Sequence, residues 1–178
     1  MTDASFRPDA ALSRDPGTGR PVLRLDHHYP RPAERIWRAL TDGAELSRWT
    51  PWEVAVDPVP GGAIRLSFAG GAPEAGTVTA AEPPRLLEFH WPGIPGSPYD
   101  ENLRWTVSPD AGGSVLVLDV TLQDLAHAPQ SAAGYHLSLA HLDDLLAGRP
   151  VRRAQIPPAD PRFQPLVDHY TAVLPGEV

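Results

Sequence analysis

The chain has no cysteine among its 178 residues. Disulfides, thiol nucleophiles and cysteinyl metal sites are therefore excluded. It has no lysine either. All 15 basic residues are arginine, set against 22 acidic ones for a net charge of −7. No basic run exceeds the pair Arg152-Arg153. Contact with a phosphate backbone needs a basic face, so no nucleic-acid partner is expected. No apolar stretch approaches the ~18 residues of a membrane span, so no membrane partner is expected. The opening MTDASFRPDA has no basic segment followed by an apolar run. No signal peptide is read there, and a cytoplasmic location is the expectation. A nucleophile elbow, a P-loop and a G-x-G-x-x-G fingerprint are all missing, and no cofactor is indicated.

What is present is proline, 22 of them, punctuating a series of alternating segments. Residues 1–21 are polar and broken by Pro8, Pro16, Gly17 and Gly19, which reads as a flexible N-terminal arm. In VLRLDHHY (22–29), Leu23, Leu25, His27 and Tyr29 share one face of a first strand. Residues 29–52 follow as YPRPAERIWRALTDGAELSRWTPW. Pro32 suits the first turn of a helix carrying the stripe Ile36, Trp37 and Leu40. Asp42-Gly43 ends it, and Leu46 with Trp49 marks a second short helix stopped by Pro51.

Strand signals then come in series: VAV (54–56), AIRLSF (63–68), TVTAA (77–81), RLLEFHW (85–91), NLRWTV (102–107) and SVLVLDVTL (114–122). The connections carry turn chemistry, such as Pro60-Gly61-Gly62 and Asp110-Ala111-Gly112-Gly113. This spacing predicts an antiparallel meander. From Ala132 to Ala147 the residues Tyr135, Leu139, Leu142 and Leu146 recur at helical spacing, with Gly148 and Pro150 as the stop. Residues 149–178 read as a Pro-rich linker and a short helix, FQPLVDHYTAVL. An antiparallel sheet leaves one apolar face open, and the single long helix is its natural cover. The expected class is α+β. A curved antiparallel sheet of about seven strands wraps a long C-terminal helix, with two short helices after the first strand. One domain over 22–148 is expected to hold it all, with a gap between sheet and helix.

Five stretches carry a family likeness: PRPAERIWRALTD, ELSRWTPW, PGGAIRLSF, PPRLLEFHW and GYHLSLAHLDDLLAG. In that order and spacing the chain resembles the SRPBCC superfamily, the START and Bet v 1-like helix-grip fold. Within it, the chain is most similar to the group named for the activator of the heat-shock protein 90 ATPase. The likeness runs from about Leu23 to Gly148. It departs at Tyr135, where the group's pattern favours Trp, and in lacking the separate N-terminal domain of the eukaryotic co-chaperone. That second departure argues against chaperone activation.

The resemblance implies a cavity that binds a hydrophobic or aromatic small molecule, with no assigned reaction. Its lining is expected from Phe68, Phe89, Trp91, Trp105 and Tyr135, with Trp49 and Trp52 near the mouth. Trp37 reads as a core anchor. The alternatives are a cyclase- or aromatase-type enzyme in the same cavity, with Tyr135 and His136 as acid–base candidates, and a chaperone-associated interaction module. The stripe Phe163, Leu166, Val167 and Tyr170 is the candidate protein-docking face, and a homodimer is compatible with the sequence. Among the seven histidines no pair has metal spacing, so no metal site is expected. Asp100 and Glu101 are read as solvated turn residues or a pocket rim. Asp143-Asp144 is read as an exposed helix face. Arg65 and Arg104 are placed on the outer face of the sheet, paired with acids.

Overall fold

The computed structural model describes residues 6–67, 74–92, 100–151 and 160–176. The chain begins with a hairpin, β1 (Asp9–Arg14) and β2 (Pro21–Tyr29), followed by helices α1 (Ala33–Thr41) and α2 (Gly43–Trp49). The meander comes next: β3 (Glu53–Val56), β4 (Ala63–Ser67), β5 (Glu74–Glu82), β6 (Leu86–Trp91), β7 (Glu101–Asp110) and β8 (Gly113–Thr121). A 3-10 turn at Leu125–His127 leads into the long helix α3 (Ala128–Leu146), and α4 (Phe163–Val173) closes the chain.

All eight strands form one antiparallel sheet in the order β1-β2-β8-β7-β6-β5-β4-β3. Every neighbour is sequential except β2 and β8. After β2 the chain crosses the sheet through α1 and α2, starts again at the far edge, and winds back until β8 pairs with β2. The two short helices therefore bridge the same face that α3 covers.

Register aligns the apolar residues in rows across that face. Leu87, Trp105, Leu118 and Leu25 form one row, and Phe89, Leu103, Val120 and Leu23 the next. All eight are buried. Because side chains alternate, the intervening positions form a row of opposite character on the outer face: Glu88, Arg104, Asp119 and Arg24. Arg104 pairs with Glu88 at 2.6 Å and Arg24 with Asp119 at 2.7 Å. Arg104 thus takes its expected place, and Arg65 is exposed.

Two turns depend on glycine. Gly112 adopts φ +79° in the tight β7–β8 hairpin. A Cβ at Gly113 would lie 2.1 Å from the Tyr29 carbonyl oxygen, so the end of β2 approaches the hairpin only over a bare Cα.

The structure corrects two expectations. The stretch read as a flexible arm carries β1, an edge strand of the sheet. β1 pairs with β2 from Asp9↔Asp26 to Arg14↔Pro21. The hairpin is closed by the Asp15 carboxylate, which accepts hydrogen bonds from the backbone N–H of Gly17 (3.1 Å) and Thr18 (2.7 Å). An edge strand needs little apolar content, and only Ala10 and Leu12 of β1 pack on the core. Phe6 is buried beside the ring of His27 at 4.4 Å.

Asp143-Asp144 is not a simple exposed face. Asp144 is buried, and Arg149 bonds both carboxylates, at 2.6 Å to Asp144 and 2.5 Å to Asp143. Acids late in a helix oppose its dipole. Here the arginine just beyond the Gly148 stop neutralises them.

Candidate functional site

The site is built where α2 and α3 meet the β3–β7 half of the sheet. Asp42 ends α1 and starts α2, its carboxylate accepting from the Glu45 N–H at 3.0 Å. Glu45 in turn pairs with Arg35 (2.6 Å) and Arg38 (3.0 Å), tying the two helices together. The far side of α2 is fixed to the sheet: the Val54 N–H donates to Ser47 Oγ at 3.0 Å. The Thr50 hydroxyl donates to the Leu46 carbonyl at 2.9 Å as α2 stops ahead of Pro51. These contacts hold Leu46 and Trp49 over the concave face.

Between them lies a cavity of about 50 Å3. Four of the chain's five tryptophans line it: Trp49, Trp52, Trp91 and Trp105. Leu40, Leu46, Val54, Ile64, Leu66, Leu87, Phe89 and Leu103 complete the apolar wall. The polar contributors are Thr50, Tyr135 and Ser138.

The tryptophans fall into two pairs. Trp49 and Trp105 are 2% and 5% exposed and meet edge to face at 6.1 Å. Trp49 Nε1 donates to the Ala39 carbonyl at 2.9 Å, which satisfies the buried indole. Trp52 and Trp91 are half-buried and meet edge to face at 5.4 Å. Trp91 Nε1 donates to Glu74 Oε2 at 2.7 Å. The first pair is buried wall, and the second is the half-buried part of the lining. Trp37 is half-buried against the core and outside the lining. Phe68 lies outside the described residues.

Tyr135 and His136 are not brought together. Successive helical residues point roughly 100° apart, so one faces the sheet and the other turns away. Tyr135 lines the cavity, and its hydroxyl donates to Glu101 Oε2 at 2.8 Å. His136 packs against Phe6 and Tyr170, with Nδ1 2.9 Å from the Tyr170 hydroxyl. Burial holds His136 down to about 4 and pushes the Tyr170 phenol up to about 12.

Glu101 is the residue that sequence reasoning misplaced. It is only 6% exposed, with Ser131 Oγ donating to Oε1 at 3.4 Å beside the Tyr135 bond. Burial pushes its carboxyl up, while the bonds from Tyr135 and Ser131 and the charge of Arg20 oppose the rise. The signal was there in the spacing: Glu101, Leu103, Trp105 and Val107 occupy alternate positions of one strand, the buried face of β7. Asp100, by contrast, is 42% exposed and bonds the equally exposed His90 at 2.7 Å. Among the described residues, no group of three His, Asp or Glu side chains is placed to hold a metal ion. Nor, among them, is any helix long and apolar enough to cross a membrane.

Residues 30–147, from the end of β2 through α3, match the family model described as Activator of Hsp90 ATPase homolog 1-like protein. The chain belongs to that family. Its fold is shared by solved bacterial proteins. CalU16 from Micromonospora echinospora is 20% identical, with a TM-score of 0.71 over 93% of this chain and 96% of that one. A protein from Bordetella parapertussis is 26% identical, with a TM-score of 0.66 over 98% and 95% of the two chains. A third, from Rhodobacter sphaeroides, is 26% identical over 79% and 99%, with a TM-score of 0.63. No curated protein matches the sequence. The Activator of Hsp90 ATPase homolog 1-like match begins beyond β1 and β2 and ends before α4, so those three elements lie outside the matched segment.

Proposed function

We propose that this member of the family binds a small, largely apolar molecule between the sheet and α3. The observation that carries the reading is the tryptophan-lined cavity itself. Packed interiors rarely keep such space, and a dry apolar void loses the contacts its lining would otherwise make. The volume bounds the ligand. About 50 Å3 holds about four waters, which is less than a benzene ring needs. A single-ring ligand therefore needs the lining to give way, and Trp52 and Trp91 are its half-buried members. Burying about 200 Å2 of apolar ligand surface supplies roughly 5 kcal/mol before association costs, a ceiling near a Kd of about 0.2 mM, so the expected binding is in the millimolar range.

The cavity tryptophans report on their own occupancy. Titrating the protein with toluene or indole is expected to give a saturable change in tryptophan emission and a rise in Tm. Trp105→Leu is expected to weaken both. If no single-ring probe shifts either signal up to its solubility limit, the cavity is not a binding site. No acid–base mechanism is attached to this reading, because Tyr135 and His136 face different surroundings.

A further inference from the structure

We propose that His136 is a pH-sensitive clip that holds two segments on α3, the chain around Phe6 and helix α4, and that acid loosens both together. His136 lies outside the cavity lining, so the clip stands whether or not the cavity is a binding site.

One imidazole joins residues from both ends of the chain. The Phe6 ring meets His136 edge to face at 5.6 Å. The Tyr170 ring of α4 meets it edge to face at 5.9 Å, and the Tyr170 hydroxyl lies 2.9 Å from Nδ1. Phe6 and Tyr170 are 8% and 2% exposed, so both contacts are shut away from solvent. Both segments lie outside the matched stretch 30–147, whereas His136 is inside it.

The charges around the ring make the clip conditional on its neutrality. The groups that bear on it are His169 and Tyr170 of α4, Arg162 just before α4, and Arg7 next to Phe6. His169, Arg7 and Arg162 all oppose a proton on His136, while the Phe6 backbone favours one. Arg162 is offset by its pair with Asp160 at 2.6 Å, which leaves Arg7 on one segment and His169 on the other. Tyr170 stays neutral, its phenol pushed up to about 12 chiefly by burial. His27 of β2 packs on the Phe6 ring at 4.4 Å and is also held down by burial, against the pull of Asp143.

A neutral imidazole has one nitrogen that accepts, and at Nδ1 it can take the Tyr170 hydroxyl proton. An imidazolium donates from both nitrogens, so Tyr170 must reverse its bond. The new charge is also cut off from water and faces bases on both segments. Withdrawing the segments rehydrates the ring and separates the like charges. These contacts are few and lie near the chain ends, so they open without unfolding the sheet. Above about pH 6.5 the clip is fully closed. As pH falls towards about 4, the open form takes up the proton first and its share grows.

Hydrogen exchange of the intact protein, read by mass spectrometry and corrected for the intrinsic pH dependence of amide exchange, tests this at about pH 7.5 and about pH 5. The opening of α4 is expected to rise about thirtyfold, because the open form binds its proton near 6.5 and the closed form near about 4. Peptides of β8 are expected to keep their protection. Over the same range the Phe6 ring resonance, followed by NMR, is expected to move to its solvent-exposed position. In His136→Gln the pH response of α4 is expected to vanish. Phe6→Ala uncovers one side of the imidazole from the other end of the chain, and is expected to shrink that response. Should His136→Gln fail to fold, Phe6→Ala, which removes no hydrogen-bonding side chain, decides. Equal α4 opening at both pH values overturns the clip, as does an undiminished rise in either variant. A rise that β8 shares in full is global unfolding and overturns it as well.

Discussion

Glu101, bonded to Ser131 and Tyr135 of α3, and His136 of the same helix answer to pH in opposite senses. His136 is held down to about 4 from an ordinary 6.5, chiefly by burial, with the charges of His169, Arg7 and Arg162 acting the same way. The unfolded chain takes up its proton first, so the stability that His136 contributes is complete above about pH 6.5. It is lost as pH falls towards about 4. Glu101 has a raised carboxyl pKa. Its charged form is the costly one, so its contribution is best in acid and declines as pH rises from about 4.5 through the folded value. Acidification from about pH 7 to about pH 4 is therefore expected to lower Tm through His136 while Glu101 offsets part of the loss. His136→Gln, which keeps a polar side chain near the Tyr170 hydroxyl, is expected to flatten the acid limb of a Tm-against-pH series. Glu101→Gln is expected to steepen it. Wild-type slopes in both variants would show that neither group is the titrating one.

At the scale of elements, α4 is the piece whose removal says most. It lies outside the matched family segment, and it buries Val167 and Tyr170, with Leu174 buried just beyond its end. Burying such side chains contributes about 1.5–3 kcal/mol each as an upper estimate, and the His136–Tyr170 bond goes with them. A chain ending near residue 150 is expected to unfold at clearly lower urea, with a loss of roughly 5 kcal/mol. An unchanged midpoint would mean that α4 does not dock in solution. The helix itself was legible in the sequence from Phe163, Leu166, Val167, Tyr170 and Leu174. Its docking was not, because a helical stripe does not say what covers it. The strands were legible for a stronger reason: one face is buried and the other wet, so Leu103, Trp105 and Val107 alternate cleanly with Asn102, Arg104 and Thr106. β1 escaped because an edge strand needs only Ala10 and Leu12 to hold it. α3 is a third case. His141 and Asp144 are each 4% exposed, covered by Arg162 and Arg149 from the chain beyond the helix. Polar residues buried by tertiary partners read as surface in any one-dimensional pattern.

For the whole molecule, the question is why a curved sheet closed by α1, α2 and α3 keeps a void at all. Alternation put Phe89, Trp91 and Trp105 on shared strand faces, but the cavity beside them was an expectation from the family resemblance, not from spacing. Its volume was not legible, since that depends on how far α2 and α3 stand off the sheet. At about 24 cal/mol per Å3, a cavity of about 50 Å3 costs the fold about 1 kcal/mol. If the space serves binding, stability and affinity must oppose each other when it is filled. Ser138 sits on α3 facing the cavity, and valine has a helix propensity close to that of serine. Ser138→Val adds hydrocarbon to the void without changing the sheet. It is expected to raise stability by up to about 1 kcal/mol, or about 2–4 °C in Tm, by removing empty space. The same variant is expected to lose most of its affinity for single-ring probes, because the ligand now competes with a side chain for one volume. Calorimetry of the free protein and a titration with indole separate the two effects. A variant that is more stable and still binds normally would place the ligand elsewhere. One that is destabilised would mean that the walls around Ser138 are already packed and that the space is not available for filling.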